Sequence, residues 1–167
     1  ATNVENEAQL RVKGKQLFDQ VCEKYPLSKV LGYSVQTMRR ALDLQQFSVG
    51  ITRDSEYGPL ILFGGGGGRT DIMVDRQLAL PPLNSALAIT LMKKSHAYYV
   101  LKEKSLQFDE DVRQLGKVLV SLSHMVIDLP YIKGCEANLL LHPQDGLITL
   151  GVAINLAEPQ RMTIRPY

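Results

Sequence analysis

An α+β fold, an antiparallel sheet with helices segregated beside it, is what this sequence predicts, and three observations carry the prediction. Short runs rich in β-branched and aromatic residues flank turn signals: Gln46–Thr52 and Pro59–Phe63 lie either side of Asp54-Ser55-Glu56-Tyr57-Gly58. A long apolar stripe, Val112, Leu115, Leu119, Leu122 and Val126, marks a helix from Asp109 to about Ile127. The alternation of strand, helix and strand that builds a parallel Rossmann sheet is missing.

In chain order, the first element is an amphipathic helix over residues 6 to 25, with Leu10, Leu17, Phe18 and Val21 at helical spacing and Pro26 closing the run. Val30 to Gln36 has the composition of a strand. The two runs around the Asp54–Gly58 turn form a hairpin, and Arg69 to Val74 is one more short strand. Pro81-Pro82 breaks the chain before a helix from about Asn84 to Lys93. Asp109, Glu110 and Asp111 set negative charge against the N-terminus of the long helix. Residues 132 to 141 and 147 to 156 are two strands, paired antiparallel around His142-Pro143-Gln144-Asp145-Gly146.

Composition bounds what such a domain does. The chain has 167 residues, 45% of them hydrophobic, enough for one core of ordinary size. With 19 basic and 17 acidic residues, it carries no electrostatic footprint for nucleic acid or an acidic membrane surface. No run approaches the roughly 20 apolar residues of a membrane span, and no signal peptide opens the chain. Cys22 and Cys135 match no disulfide or zinc spacing, which suits reduced thiols and a cytoplasmic location. His96, His124 and His142 form no ligand spacing, and His124 reads as a structural or surface residue. The opening Ala1-Thr2-Asn3-Val4 and the close at Tyr167 read as those of a fragment of a longer protein.

The feature with most chemical content is the glycine run. Tyr57-Gly58-Pro59-Leu60-Ile61-Leu62-Phe63 delivers the chain into Gly64, Gly65, Gly66, Gly67 and Gly68, followed by Arg69-Thr70-Asp71. Glycine admits φ > 0 and lets a ligand reach the backbone N–H row, at an entropy cost that five in succession must justify. A phosphate is one justification, because successive N–H groups form an anion-binding concavity. A flexible surface loop or strand-to-strand bend is the other. The standard motifs do not apply. A Walker loop needs Gly at 63 and Lys at 69, where Phe63 and Arg69 stand, and a dinucleotide fingerprint needs Gly where Arg69 stands.

A family resemblance rests on the order of several short motifs. Val49-Gly50-Ile51-Thr52-Arg53-Asp54, Tyr57-Gly58-Pro59, Phe63 with its glycines and Leu80-Pro81-Pro82-Leu83-Asn84 resemble the second half of the ATP-grasp region in NDP-forming acyl-CoA synthetases. Leu122-Ser123-His124, Asp128-Leu129-Pro130-Tyr131-Ile132 and Glu136-Ala137-Asn138-Leu139-Leu140 are similar to that family's helix, its D-x-P-x-I turn and its D/E-x-N-P-L strand. Within the family, Ala79–Asn84 and Ile164-Arg165-Pro166-Tyr167 are most similar to Pat-type protein lysine acetyltransferases, in which a GNAT acetyltransferase domain adjoins the synthetase-like body. The resemblance covers the chain from about residue 5 to its end. It implies an ATP-grasp-like lobe over 1–158, a linker at 159–167 toward a following domain, and a preceding lobe that carries the adenine side.

The roles of individual residues are implied by the resemblance. Gly64 to Gly68 would contact nucleotide phosphates, Arg69 would neutralise their charge, and Asn138 with Glu136 or Asp71 would hold Mg²⁺. The cofactors are then ATP or ADP with Mg²⁺, with CoA bound elsewhere in the parent protein; the partners are nucleotide and other domains of the same chain, and no residue of this chain is assigned a catalytic role. The chain departs from the pattern at three places: the acid of the last strand falls on Gly151, the proline after the asparagine is Leu139, and the glutamate of E-L-x-V-G is Gln46. Each change removes charge or shape that a metal–phosphate site uses. Three readings stay open: a live nucleotide lobe of a synthetase, a degenerate regulatory lobe of an acetyltransferase that is inactive alone, and a non-enzymatic α+β interaction module. In the plainest reading Glu136 and Asn138 only solvate a strand edge.

Overall fold

Asn6 opens the first helix by accepting the Gln9 N–H on its side-chain oxygen, and α1 runs Glu7–Lys24 with an exposed Arg11–Glu7 pair one turn apart. The computed structural model describes residues 4–25, 30–35, 45–67 and 75–157. They fall in two units, Ala1–Arg40 and Ala41–Tyr167. In the first, α1 buries none of its residues, so its apolar stripe is uncovered there. The strand expected at 30–36 does not form over 30–35, where Leu31 stands 87% exposed, and Gln36 lies outside the described residues. Residue type favours extended backbone at that run, but a strand exists only with a neighbour to pair its N–H and C=O groups.

In the second unit five strands form one sheet: β1 (Gln46–Asp54), β2 (Gly58–Gly65), β3 (Gln77–Ala79), β4 (Ile132–His142) and β5 (Gly146–Leu156). Their order is β3-β2-β1-β4-β5, and every neighbouring pair is antiparallel. Both predicted hairpins are present. The first closes where the Asp54 carboxylate accepts the Glu56 and Tyr57 N–H groups, and Gly58 turns the chain at φ 78°. Those backbone donors, Tyr57 first, hold the Asp54 carboxyl below its ordinary value. The short strand expected at 69–74 lies outside the described residues; the observed third strand, Gln77–Ala79, follows it.

Helices α2 (Ser85–Lys93), α3 (His96–Lys104) and α4 (Phe108–Asp128) supply the other layer. Val112, Leu115, Leu119 and Val126 are buried on α4, the stripe that its periodicity predicts, with Leu122 partly buried. They meet Phe47, Val49, Ile51, Ile61, Phe63, Ala137 and Leu139 on one face of the sheet, where Phe47 and Phe63 stack at 5.8 Å between centroids. Burial of such side chains, about 1.5–3 kcal/mol each, fixes the register, because a one-residue slip would turn every one of them outward. Two polar ties fix the connecting segments. The buried Ser123 hydroxyl accepts the Leu83 N–H at 2.7 Å, and the Arg53 guanidinium donates to Ile132 O and Pro130 O, holding the first hairpin against the Asp128–Ile132 turn. His96 and His124 are exposed, Cys22 and Cys135 are free thiols, and burial pushes the Cys135 thiol up. No helix among the described residues is long and apolar enough to cross a membrane.

Candidate functional site

Because Phe47, Val49 and Ile51 face the helices, Ser48 and Gly50 between them face the other side of the sheet. Cross-strand register then assembles a row. Gly64 on β2 lies opposite Ser48 on β1, Ser48 opposite Asn138 on β4, and Asn138 opposite Gly151 on β5. Glu136, two residues from Asn138, lies opposite Gly50 and shares the same face. The proposed ligands Glu136 and Asn138 are thus brought together, both exposed.

Glu136 is oriented by two donors on one oxygen. The Ser48 hydroxyl and the Arg76 guanidinium each reach its Oε1 at 3.1 Å. The Arg76 pair is half open to solvent, so Arg76→Ala is expected to change stability by less than about 1 kcal/mol, checked by urea denaturation. Sequence reasoning nominates neither Ser48 nor Arg76; the Ser48 signal, alternation along β1, is readable, whereas Arg76 has no local pattern.

The glycine run has structural duties that composition does not reveal. A Cβ on Gly64 would stand 2.9 Å from the Asp75 carbonyl oxygen, and one on Gly66 would stand 2.7 Å from the Phe47 carbonyl carbon. Gly67 takes φ 96°, in the left-handed region. The Gly65 N–H donates to Asp75 Oδ2 and the Gly66 N–H to Gln46 O, so both are already committed within the chain. Gly68, Arg69 and Asp71 lie outside the described residues.

Asp75 is a third residue that sequence reasoning missed. Its carboxylate accepts from the Ser95 hydroxyl at 2.7 Å, the His96 N–H at 2.5 Å, the Ala97 N–H at 3.0 Å and Gly65, joining the glycine run to the N-terminus of α3. Partial burial pushes this carboxyl up, but the hydrogen bonds from Ser95, His96, Ala97 and Gly65 outweigh it, and its pKa lies below the ordinary value. With the folded value depressed, the stabilisation is complete above the unfolded value of about 3.9 and is lost as pH falls through the lower folded value. Asp75→Ala is expected to lower stability at pH 7 by about 1–2 kcal/mol, the range for losing a helix cap. Denaturation at pH 7 and below pH 3 checks it, the difference from the parent chain shrinking in acid.

Among the described residues no three His, Cys, Asp or Glu side chains come together as a metal cluster. The carboxylate of Glu136 and the amide oxygen of Asn138 are oxygen donors of the kind a hard cation takes, and they are a partial set. Opposite Asn138, a Cβ on Gly151 would meet nothing within 4 Å, so the face has room where the missing acid would project.

Known proteins share this architecture. The family model described as ATP-grasp domain matches residues 1–156. The chain is 26% identical over 102 residues to the beta subunit of acetate–CoA ligase [ADP-forming] I of Pyrococcus furiosus, a match spanning 61% of this chain and 44% of that one. It is 24% identical over 115 residues to acetate–CoA ligase [ADP-forming] I of Archaeoglobus fulgidus, covering 69% of this chain and 16% of the relative, so the chain spans only part of the length of these relatives. Among solved structures, PH1788 of Pyrococcus horikoshii superposes with a TM-score of 0.80 at 23% identity, over 92% of this chain and 65% of that one. A dinucleotide-forming acetyl-coenzyme A synthetase 1 of Ca. Korarchaeum cryptofilum, solved with coenzyme A and Ca-AMPCP, superposes with a TM-score of 0.73 at 18% identity, over 93% and 67%. The antiparallel sheet, its helix-covered face and the matched length agree: this chain belongs to the ATP-grasp domain family.

Proposed function

We propose that the face of the sheet opposite α4 is the phosphate and Mg²⁺ half of a nucleotide site, in a protein of the NDP-forming acyl-CoA synthetase type. The observation that carries this reading is the row Gly64, Ser48, Asn138 and Gly151 with Glu136 beside it, which sets two oxygen donors on the sheet face opposite the one that packs against α4. Glu136 and Asn138 would hold the cation, which when bound supplies charge neutralisation to the phosphates. Gly67, Gly68 and Arg69 would make the phosphate contacts, with Gly64 to Gly66 placing that stretch by close backbone packing. Asp71 is the further candidate ligand. Arg76 holds Glu136 in position and would add a second positive charge beside the phosphates.

The acetate–CoA ligase relatives support this assignment, and the Korarchaeum protein has also been solved with coenzyme A and Mg-AMPPCP, with a phosphohistidine segment pointing towards its nucleotide site. In the same reading a lobe before Ala1 completes the site, CoA binds in another part of the parent protein, and the parent is cytoplasmic. A second reading, a degenerate lobe in a Pat-type acetyltransferase with residues 159–167 as its linker, is favoured by Gly151 standing where an acid is usual. Its support is that departure and the Ala79–Asn84 and Ile164–Tyr167 segments; the Pyrococcus and Archaeoglobus relatives are ligases.

Calorimetric titration of MgATP and MgADP separates the two readings, using this chain and a longer one that adds the preceding lobe. The synthetase reading expects saturable, EDTA-sensitive binding by the longer chain alone. Silence from both supports the degenerate lobe. In that second case Gly151→Asp is expected to restore Mg²⁺-dependent binding, and an unchanged titration would place the lost ligand elsewhere.

A further inference from the structure

Arg76 carries a charge into the row of Ser48 and Asn138 from the far side of the sheet. Gln77 pairs with Phe63, whose side chain is in the core, so Arg76, one residue earlier, projects to the opposite face. A Cβ on Gly64 would stand 3.3 Å from Arg76 Cα, so the backbone there is packed closely against β2. The Asp75 carboxylate, held by Ser95, His96, Ala97 and Gly65, anchors the same backbone from the helix side. From that fixed base the Arg76 guanidinium spans β2 and β1 to reach Glu136 Oε1 on β4, the oxygen that also accepts the Ser48 hydroxyl. Glu136 Oε2 has no partner among the described residues.

The consequence is one of charge, and it rests on the reading in which Glu136 holds a divalent cation. A dication and a guanidinium that share one carboxylate repel each other, by roughly fivefold in binding even at the dielectric constant of water and physiological salt. Orientation of the carboxylate does not offset this, because the buried Ser48 hydroxyl holds the same oxygen without bringing charge. A cation that arrives on a polyphosphate reverses the sign. Its complex is negative overall, and the guanidinium attracts it. The Arg76 and Glu136 side chains are 35% and 50% exposed, so their pair is weak enough to yield to such a ligand. We propose that Arg76 is a specificity residue of this face: it repels a bare divalent cation from Glu136 and draws in one carried by a polyphosphate.

Two titrations read the two halves. Free Mn²⁺ is added to the ¹⁵N-labelled 167-residue chain and followed by electron paramagnetic resonance and by amide broadening at Glu136 and Asn138. Arg76→Met, which removes the charge and keeps an apolar stem, is expected to bind it roughly fivefold tighter than the parent. The gain should vanish when Glu136→Gln is added, and Arg76→Lys, which keeps the charge, should stay close to the parent. MnATP is titrated calorimetrically into the longer chain that adds the preceding lobe, where Arg76→Met is expected to bind it several-fold more weakly. A merely structural role would move both probes in the same direction. Unchanged or weaker Mn²⁺ binding by Arg76→Met, with Glu136 and Asn138 broadened in both proteins, would overturn the proposal and leave the cation site standing. Equal gains in the Met and Lys variants, or MnATP bound equally or more tightly by Arg76→Met, would overturn it as well. No broadening at Glu136 and Asn138 in any variant, or no MnATP binding by the longer parent chain, would remove the nucleotide reading and the proposal with it.

Discussion

Gly50→Ala is expected to lower the stability of the sheet unit by at least about 3 kcal/mol, the range of severe overpacking. Gly50 sits in the middle of the central strand, where a Cβ would stand 2.2 Å from the Cys135 carbonyl oxygen and 3.2 Å from Glu136 Cα. Those atoms are backbone, so no rotamer change relieves the clash. Relief requires β1 and β4 to separate at Gly50↔Glu136, which also disturbs the neighbouring pairs Ser48↔Asn138 and Val49↔Ala137. Chemical denaturation of the variant beside Gly151→Ala, a strand glycine of the same sheet whose added methyl meets nothing within 4 Å, isolates the packing cost. A loss below about 1 kcal/mol would mean that the strands have slack at this point.

The second large effect concerns binding. In the longer chain of the proposed reading, which adds the preceding lobe, Asn138→Ala and Glu136→Gln are each expected to weaken MgATP by at least about tenfold, or about 1.4 kcal/mol. The fold should hold. Asn138 is an exposed side chain, so its removal should shift stability by no more than about 0.5 kcal/mol. Gln at 136 keeps an acceptor for the buried Ser48 hydroxyl while removing the charge that Mg²⁺ and Arg76 compete for. If either variant binds MgATP like the parent, that residue is not a ligand.

How far the sequence reveals this molecule depends on whether an element is held by its own residues or by distant ones. Strands β1, β2, β4 and β5 are legible because turn residues such as Asp54 and Gly58 bound runs of strand-forming side chains. Helix α4 is legible through its stripe. Helix α3 is not: His96–Lys104 is short, and Asp75, a residue twenty positions before Ser95, helps cap it together with that serine. The run at 30–35 shows the converse, strand-like residues with no ladder partner among the described residues.

The site is legible in part for the same reason. Glu136 and Asn138 are nominated by the family resemblance alone, and that they share a face follows from their alternate positions on one strand. Glycines 64 to 68 read from composition as either a phosphate cradle or a flexible bend, and that Gly64 and Gly66 also admit the backbones of Asp75 and Phe47 is visible only once the strands are packed. Gly151 can be recognised as a departure, but that it lies opposite Asn138 with open space before it depends on the β4–β5 register.

The central claim is that metal and phosphate meet on the sheet face opposite α4, and paramagnetic broadening by MnATP tests it most directly. In the ¹⁵N-labelled longer chain that adds the proposed preceding lobe, the amides of Ser48, Glu136, Asn138 and Gly151 are predicted to broaden first, with the exposed end of α4 near His124 unaffected. Broadening centred away from that row, with Ser48 and Asn138 sharp at saturating MnATP, would contradict the account.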